Sequence, residues 1–599
     1  MFKKADIILE EWSLPLHRLA LRGGLLLACV LFGLSAAVSP LAARQHESFA
    51  LATPFEVGDS PAGNYLAALI AGAERDTTAA ATFFREALRF DPRNKQLLER
   101  TFVAALSNGN MQEAFILADR LVAHEPGNGL GHLALGVKDM KARQFSAARA
   151  QFTHGGSGQD RDLTSTLLSA WSYEGNHRTK KALALLDKLT EPNFAVFRDY
   201  HKALIADIGN EVETATTAFK AAYGADQNTL RLVDAYARFM SHRGHRDEAI
   251  RAYEAFDKML PDHPTVRAAL AALKAGKTLD PIVKTPEQGA AEVLYGLGAA
   301  GGRQGDELAA MVYLRLALYL DPNNSLATLT LGDLYERLKQ YEAAIDIYQS
   351  VRDSDPLYLT AEIETAQVLE NLGRTDDATK FLKKIVGEHP SNEDALSALG
   401  NLQRAHKHYA EATATYSKAI EVSKKPDKAN WPLYYFRGIS YERLNNWPPA
   451  EADFQHALQL YPNQPLVLNY LGYSWVDKGI HLDKAFPMLR RAVELRPTDG
   501  YIVDSLGWAD YKLGHYDAAV KELERAVDLK PSDPVINDHL GDAYWQVGRK
   551  LEAQFQWNHA RDLAPDPQDL PKILQKIAHG LDAQGKPAAA EAMPTKRGG

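Results

Sequence analysis

The stretch "GYIVDSLGWADYKLGHYDAAVKELERAVDLKPS", Gly500 to Ser532, is followed after Asp533 by "PVINDHLGDAYWQVGRKLEAQFQWNHARDLAPD", Pro534 to Asp566, and the two superimpose at a step of 34 residues. Gly507 falls on Gly541, Gly514 on Gly548, Ala519 on Ala553, Leu523 on Trp557, Ala526 on Ala560 and Pro531 on Pro565. Small residues at Gly507 and Ala519 let two helices approach closely, a large side chain such as Trp557 or Tyr416 fills the space beside them, and the proline stops the second helix. A lone hairpin of this kind cannot bury its apolar face, but stacked copies can, so the period predicts an all-α superhelical solenoid.

Stepping backwards, the small residue recurs at Gly472, Gly438, Gly400, Ala366, Gly332 and Gly298. From Gly298 to Gly541 the gaps are 34, 34, 34, 38, 34, 35 and 34. The two longer ones are absorbed by turns, Ser423 to Asn430 and Gly479 to Ala485. Eight repeats therefore fill 291–567. A looser version of the same period runs through 61–275, with units marked by Ala80, Phe84 and Pro92, by Gly109 and Ala114, by Gly136 and Phe152, by Ala170 and Ala182, by Ala203 and Phe219, and by Ala237 and Tyr253. Between the arrays, 276–290 has Gly276, Pro281 and Pro286 but no apolar period, and reads as a joint open to proteases. Residues 568–584 read as a capping helix, 585–599 as a disordered tail and 44–60 as an extended tether.

This pattern resembles the tetratricopeptide repeat (TPR) family, whose motif is met by Asn537, Leu540, Gly541, Tyr544, Ala553, Trp557 and Pro565 apart from its first position. The resemblance implies about fourteen helix-turn-helix repeats in two arrays. It also implies a concave groove lined by the first helix of each repeat. In the last three repeats that helix would present Asn469, Tyr473 and Val476, then Tyr501, Asp504, Trp508, Tyr511 and Lys512, then Asp538, Asp542, Trp545 and Gln546. Such a surface of aromatics and carboxylates suits protein or extended-peptide partners. Some members grip a peptide's terminal carboxylate with Lys and Asn. Here the matching places hold Asp504 with Trp508 and Asp538 with Asp542, which favours basic or neutral segments. The competing expectation is that Trp508 and Trp545 pack against the neighbouring repeat.

The 599 residues carry a net charge of -8, so no basic field exists to neutralise nucleic acid. Cys29 is the single cysteine, which excludes a disulfide framework and a cysteine-based zinc site. It sits in the apolar run Leu25 to Ala43, preceded by Lys3, Lys4, Arg18 and Arg22, so 1–43 reads as a signal peptide or membrane anchor. Three versions stand: cleavage after Ala43, an uncleaved anchor, or a lipoprotein acylated at Cys29, since "LLAC" resembles a lipobox. Each puts the bulk of the chain in the periplasm or on the periplasmic face of a bacterial membrane, with membrane association only through this segment.

Other motifs dissolve into the period. "GLGAAG", Gly296 to Gly301, matches a dinucleotide fingerprint, but no strand precedes it, and "KAGKT", Lys274 to Thr278, lacks the glycine a phosphate loop needs. His406 and His408 fall in a turn, "GGSG" at Gly155 to Gly158 in a loop. Ser505 in "DSLGW" looks like a nucleophile, yet its equivalents one repeat away are Tyr470 and His539. No catalytic residue, cofactor or metal is expected. The block from "LNYLGYSWVDKG" to "HLGDAYWQVGR" also resembles exported bacterial TPR proteins, among them the lipoprotein adaptor that delivers substrates to a periplasmic carboxyl-terminal processing protease. The implied function is a non-catalytic scaffold or adaptor of the cell envelope, with such a protease and its substrates as partners. The alternative is an accessory subunit of envelope polysaccharide synthesis or export.

Overall fold

The computed structural model describes residues 57–154, 163–261, 263–423 and 428–582, the side chain of Gln304 aside. Cys29, the 1–43 segment, most of the tether, the 155–158 loop and the 585–599 tail lie outside the described residues. Among the described residues there are thirty α-helices and no β-strand. Fourteen antiparallel hairpins account for all but two of the helices, Pro264–Lys274 and Leu570–His579. No helix among them is long and apolar enough to cross a membrane.

The residues that set the period set the hairpins. A β-carbon on Gly507 would lie 2.7 Å from Leu523, and one on Gly541 2.5 Å from Trp557, so at these two positions any larger residue would push the facing side chain aside. Trp557 and Tyr416 are wholly buried in the spaces so formed. Each hairpin turn closes through the left-handed region, at Gly514 (φ 79°) and Gly548 (φ 83°) in the last two repeats. The next first helix opens on an aspartate cap: Asp499 accepts from the amides of Tyr501 and Ile502, Asp533 from those of Val535 and Ile536.

The chain divides into two compact units between Phe381 and Leu382, not at 276–290. In the first unit the expected joint is docked. Leu279 and Val283 are buried, the Leu279 amide donates to Ser241 Oγ at 3.0 Å, and Arg238 donates to the Asp280 carbonyl. Two apolar anchors four residues apart leave no period to detect, which is why this stretch looks free in sequence.

The next helix explains why the docked stretch is held. Helix Pro286–Gln304 lies against helices Leu163–Gly175 and Ala195–Ile208 of the first array. Its glycines make the nesting possible: a β-carbon on Gly289 would be 2.3 Å from the Trp171 ring, and one on Gly296 2.4 Å from Phe197. The "GLGAAG" glycines are thus packing positions inside one helix. Glu292, buried in this interface, forms a two-point ion pair with Arg231 and accepts from the Tyr200 hydroxyl at 3.1 Å. Helix Glu307–Leu320 continues the filling, with Tyr319 edge-on to Phe115 at 5.0 Å and its last carbonyl receiving Lys141 at 2.8 Å. One continuous core runs from Ala68 to Leu320.

Candidate partner-binding face

The second unit, 382–582, carries all nine residues expected to bind a partner. Its first helices Pro465–Lys478, Gly500–Lys512 and Pro534–Gln546 stand side by side, and their inner faces hold the nine candidates. The expected surface of aromatics interleaved with carboxylates is exposed only in part. Asn469, Tyr501, Asp504, Tyr511 and Asp542 are buried, and Tyr473, Trp508, Asp538 and Trp545 stay partly exposed.

The carboxylates are buried because residues one repeat further on pair with them. Asp504 Oδ1 is 2.8 Å from His539 Nδ1, and both side chains are enclosed. The His539 ring in turn stacks on Trp508, centroids 3.9 Å apart and planes 15° apart, while Trp508 stacks on Tyr511 at 4.7 Å. Asp542 accepts from Trp557 Nε1 at 2.9 Å through one oxygen and from Lys576 Nζ at 2.8 Å through the other. Lys576 also donates to Asp538 at 2.8 Å. Buried charges persist only when so compensated.

Burial sets the electrostatics of this cluster. It pushes the Asp542 carboxyl up to about 7, with Lys576 opposing the rise and Asp538 adding to it. Burial works against the Lys576 ammonium, yet Asp542 and Asp538 outweigh it and hold the lysine above its usual value. Burial, then Asp477 and Asp504, raise the Tyr473 hydroxyl. Trp545 donates through Nε1 to the Leu581 carbonyl at 3.1 Å and lies 5.3 Å from Trp557.

Lys576 and His539 carry the site's charge balance, and neither is among the candidates. The signal was the period itself: thirty-four residues after Asp542 stands Lys576, so helix Leu570–His579 is the first half of a further repeat. Ser505, by contrast, donates its buried hydroxyl to the Tyr501 carbonyl one turn back at 2.9 Å. His406 and Lys407 lie in the turn after helix Glu393–Ala405, and among the described residues no group of three His, Cys, Asp or Glu could hold a metal ion.

Several inner-face polar atoms remain unbonded. Asn469 Oδ1, Trp508 Nε1 and Asp538 Oδ1 are buried atoms with no hydrogen-bond partner, one on each of the three successive first helices. An unbonded buried polar atom costs about 1–3 kcal/mol.

Comparison with known proteins gives one family. Models of the TPR repeat match residues 507–548, and models of the tetratricopeptide repeat match 329–393 and 291–324. The TPR repeat-containing protein PA4667 of Pseudomonas aeruginosa is 29% identical over 193 residues, 31% of each chain. The RNA polymerase-associated protein CTR9 of Caenorhabditis elegans is 24% identical over 326 residues, 44% of this chain and 28% of that one. The matched segments thus span less than a third of these relatives. Among solved structures, the Cut9–Hcn1 hetero-tetramer of the APC/C is similar over 86% of this chain and 96% of that one, at 15% identity and a TM-score of 0.37. YrrB, described as a TPR protein with an unusual peptide-binding site, covers 32% of this chain and 92% of its own at 21% identity and a TM-score of 0.25.

Proposed function

The chain is a tetratricopeptide-repeat protein, and from that premise we propose that it is a non-catalytic scaffold that holds partner proteins on the inner face of residues 465–546. The observation that carries this is the row of half-exposed rings, Tyr473, Trp508 and Trp545, one on each of three successive first helices, with the partly exposed Asp538 among them. A polypeptide laid along that face finds rigid apolar contact in the rings. The first unit is the support, because its own groove is already filled by 286–320.

The scaffold works in the bacterial cell envelope. The basic and then apolar order of 1–43 supports export, and the similarity to a Pseudomonas aeruginosa protein supports a bacterial setting. Within the envelope its role is that of an adaptor delivering substrates to a periplasmic protease. Affinity capture from envelope extract tests this: recovery of a processing protease together with its substrates is the expected result, and recovery of polysaccharide synthase or export subunits would replace it with the alternative. Trp508→Ala should weaken the captured partner about tenfold or more while shifting the melting temperature little. A large melting shift with unchanged affinity would return Trp508 to a packing role.

A further inference from the structure

The inner face ends on a seat that the chain fills itself. Helix Leu570–His579 continues the 34-residue register, but it carries a lysine where the two preceding repeats carry Trp508 and Asp542. Its hold is narrow. Of its ten residues only Ile573 and Lys576 are buried, and Leu574 is exposed. Beyond the helix the chain turns at Gly580, where any side chain would strike Trp545, and Leu581 lies in the core behind it.

The seat is built for a cation on an apolar surface. Asp538 and Asp542 both accept from the one ammonium, Trp557 Nε1 donates to the same Asp542, the Trp545 ring lies 5.3 Å from that of Trp557, and the Tyr511 hydroxyl is buried beside Gln546. The connection to the rest of the chain is short and kinked, with Ala564 at φ 53° between helix Lys550–Asp562 and Pro565 and Pro567. A ten-residue helix gains little stability on its own, so its docking depends on these few contacts.

We propose that helix Leu570–His579 is a displaceable occupant, and that the seat formed by Tyr511, Asp538, Asp542 and Trp545 takes an amphipathic helix of a partner protein carrying a lysine on its apolar face. The proposal rests on the scaffold reading above and names the partner's chemistry. Ile573, Lys576 and Ile577 give the pattern: an apolar residue, a lysine three positions on, and a second apolar residue next to it. In the resting chain the terminal helix shields this end of the face. A partner helix replaces it by offering the same ammonium and apolar residues, so the competition sets a threshold for binding.

The test uses a labelled synthetic peptide of residues 566–582 and the full-length chain. Full-length Lys576→Glu, whose own helix the two aspartates repel, should bind the peptide at least tenfold more tightly than the wild-type chain does. A peptide carrying Lys576→Glu should not bind, and one carrying Lys576→Arg should. Hydrogen exchange on the unaltered chain gives a second measurement free of folding artefacts: amides 573–580 should exchange at least a hundredfold faster than amides 540–544. Equal peptide affinity for both chains, no binding to either, or matched exchange rates would make the helix a permanent cap and overturn the proposal. Such a result with the envelope partner still held through Trp508 leaves the scaffold reading standing. Peptide binding as expected, with no envelope partner captured, overturns that reading alone.

Discussion

The two units treat the same groove in opposite ways. In 57–381 the inner face receives a whole hairpin, 286–320, nested through Gly289 and Gly296 and locked by the buried Glu292 paired with the half-buried Arg231. In 382–582 no hairpin fills the inner face, and a single ten-residue helix closes the end of the stack, packed on helix Lys550–Asp562 through Ile573 and tied to Asp538 and Asp542 by Lys576. Large apolar area and glycine-close packing turn a groove into a core, whereas an inner face with only a helix at its end stays a surface. Repeat geometry alone therefore does not decide which array is free to bind.

The most severe challenge to this contrast removes one charge from each groove. Glu292→Ala leaves the half-buried Arg231 without its partner and should cost up to about 3 kcal/mol in the first unit. Lys576→Met should cost the second unit far less, because Asp538 is partly exposed and Asp542, already raised to about 7, can take up a proton in compensation. Native-state hydrogen exchange over 163–208 and 534–562 reads both. Equal losses would mean that the terminal helix is as much core as the inserted hairpin.

Acid should separate the units next. His201 is wholly buried, accepts from Trp171 Nε1 at 3.2 Å, and is pushed by burial down to about 3. Its folded pKa lies below the unfolded value near 6.5, so the unfolded chain gains the proton first and stability falls as pH drops below about 6.5. At pH 5 the loss is about 2 kcal/mol. Asp542 has the opposite sign: its folded pKa lies above the unfolded one, so its unfavourable burial is relieved as pH falls from about 7 towards 4. The first unit should therefore unfold at higher pH than the second in an acid titration followed by exchange. His201→Gln should flatten the first unit's slope, and an unchanged slope would move the effect elsewhere.

Much of this was legible before the structure. The step from Gly507 to Gly541 carries the hairpins, and Leu523 and Trp557 sit where that step puts them. The carboxylate partners were within reach as well, since His539 follows Asp504 by 35 residues and Lys576 follows Asp542 by 34. They were missed because 570–579 looks like an amphipathic end, not a repeat with its cation pointing inward. The filled groove of the first unit was not legible. It depends on contacts such as Lys141 with Leu320, 179 residues apart, and on glycines that in sequence serve the repeat equally well. Periodicity encodes neighbours, and a chain folding back across several repeats leaves no period.

The smallest effect belongs to the residue that first suggests chemistry. Ser505 shares a helix with Asp504 and Trp508, but its hydroxyl is turned back onto the Tyr501 carbonyl, away from the carboxylate beside it in sequence. That carbonyl is already placed in a helix, so the extra bond adds little, and Ala fits the space without leaving a buried donor behind. Ser505→Ala should therefore change stability by less than about 1 kcal/mol and leave partner affinity untouched. Trp508→Ala, three residues away and facing inward, should cost about tenfold in affinity. Measured side by side on the same captured partner, these two substitutions locate function on one face of a single helix. A loss for Ser505→Ala equal to that for Trp508→Ala would mean that the helix as a whole, and not its inner face, is what the partner needs.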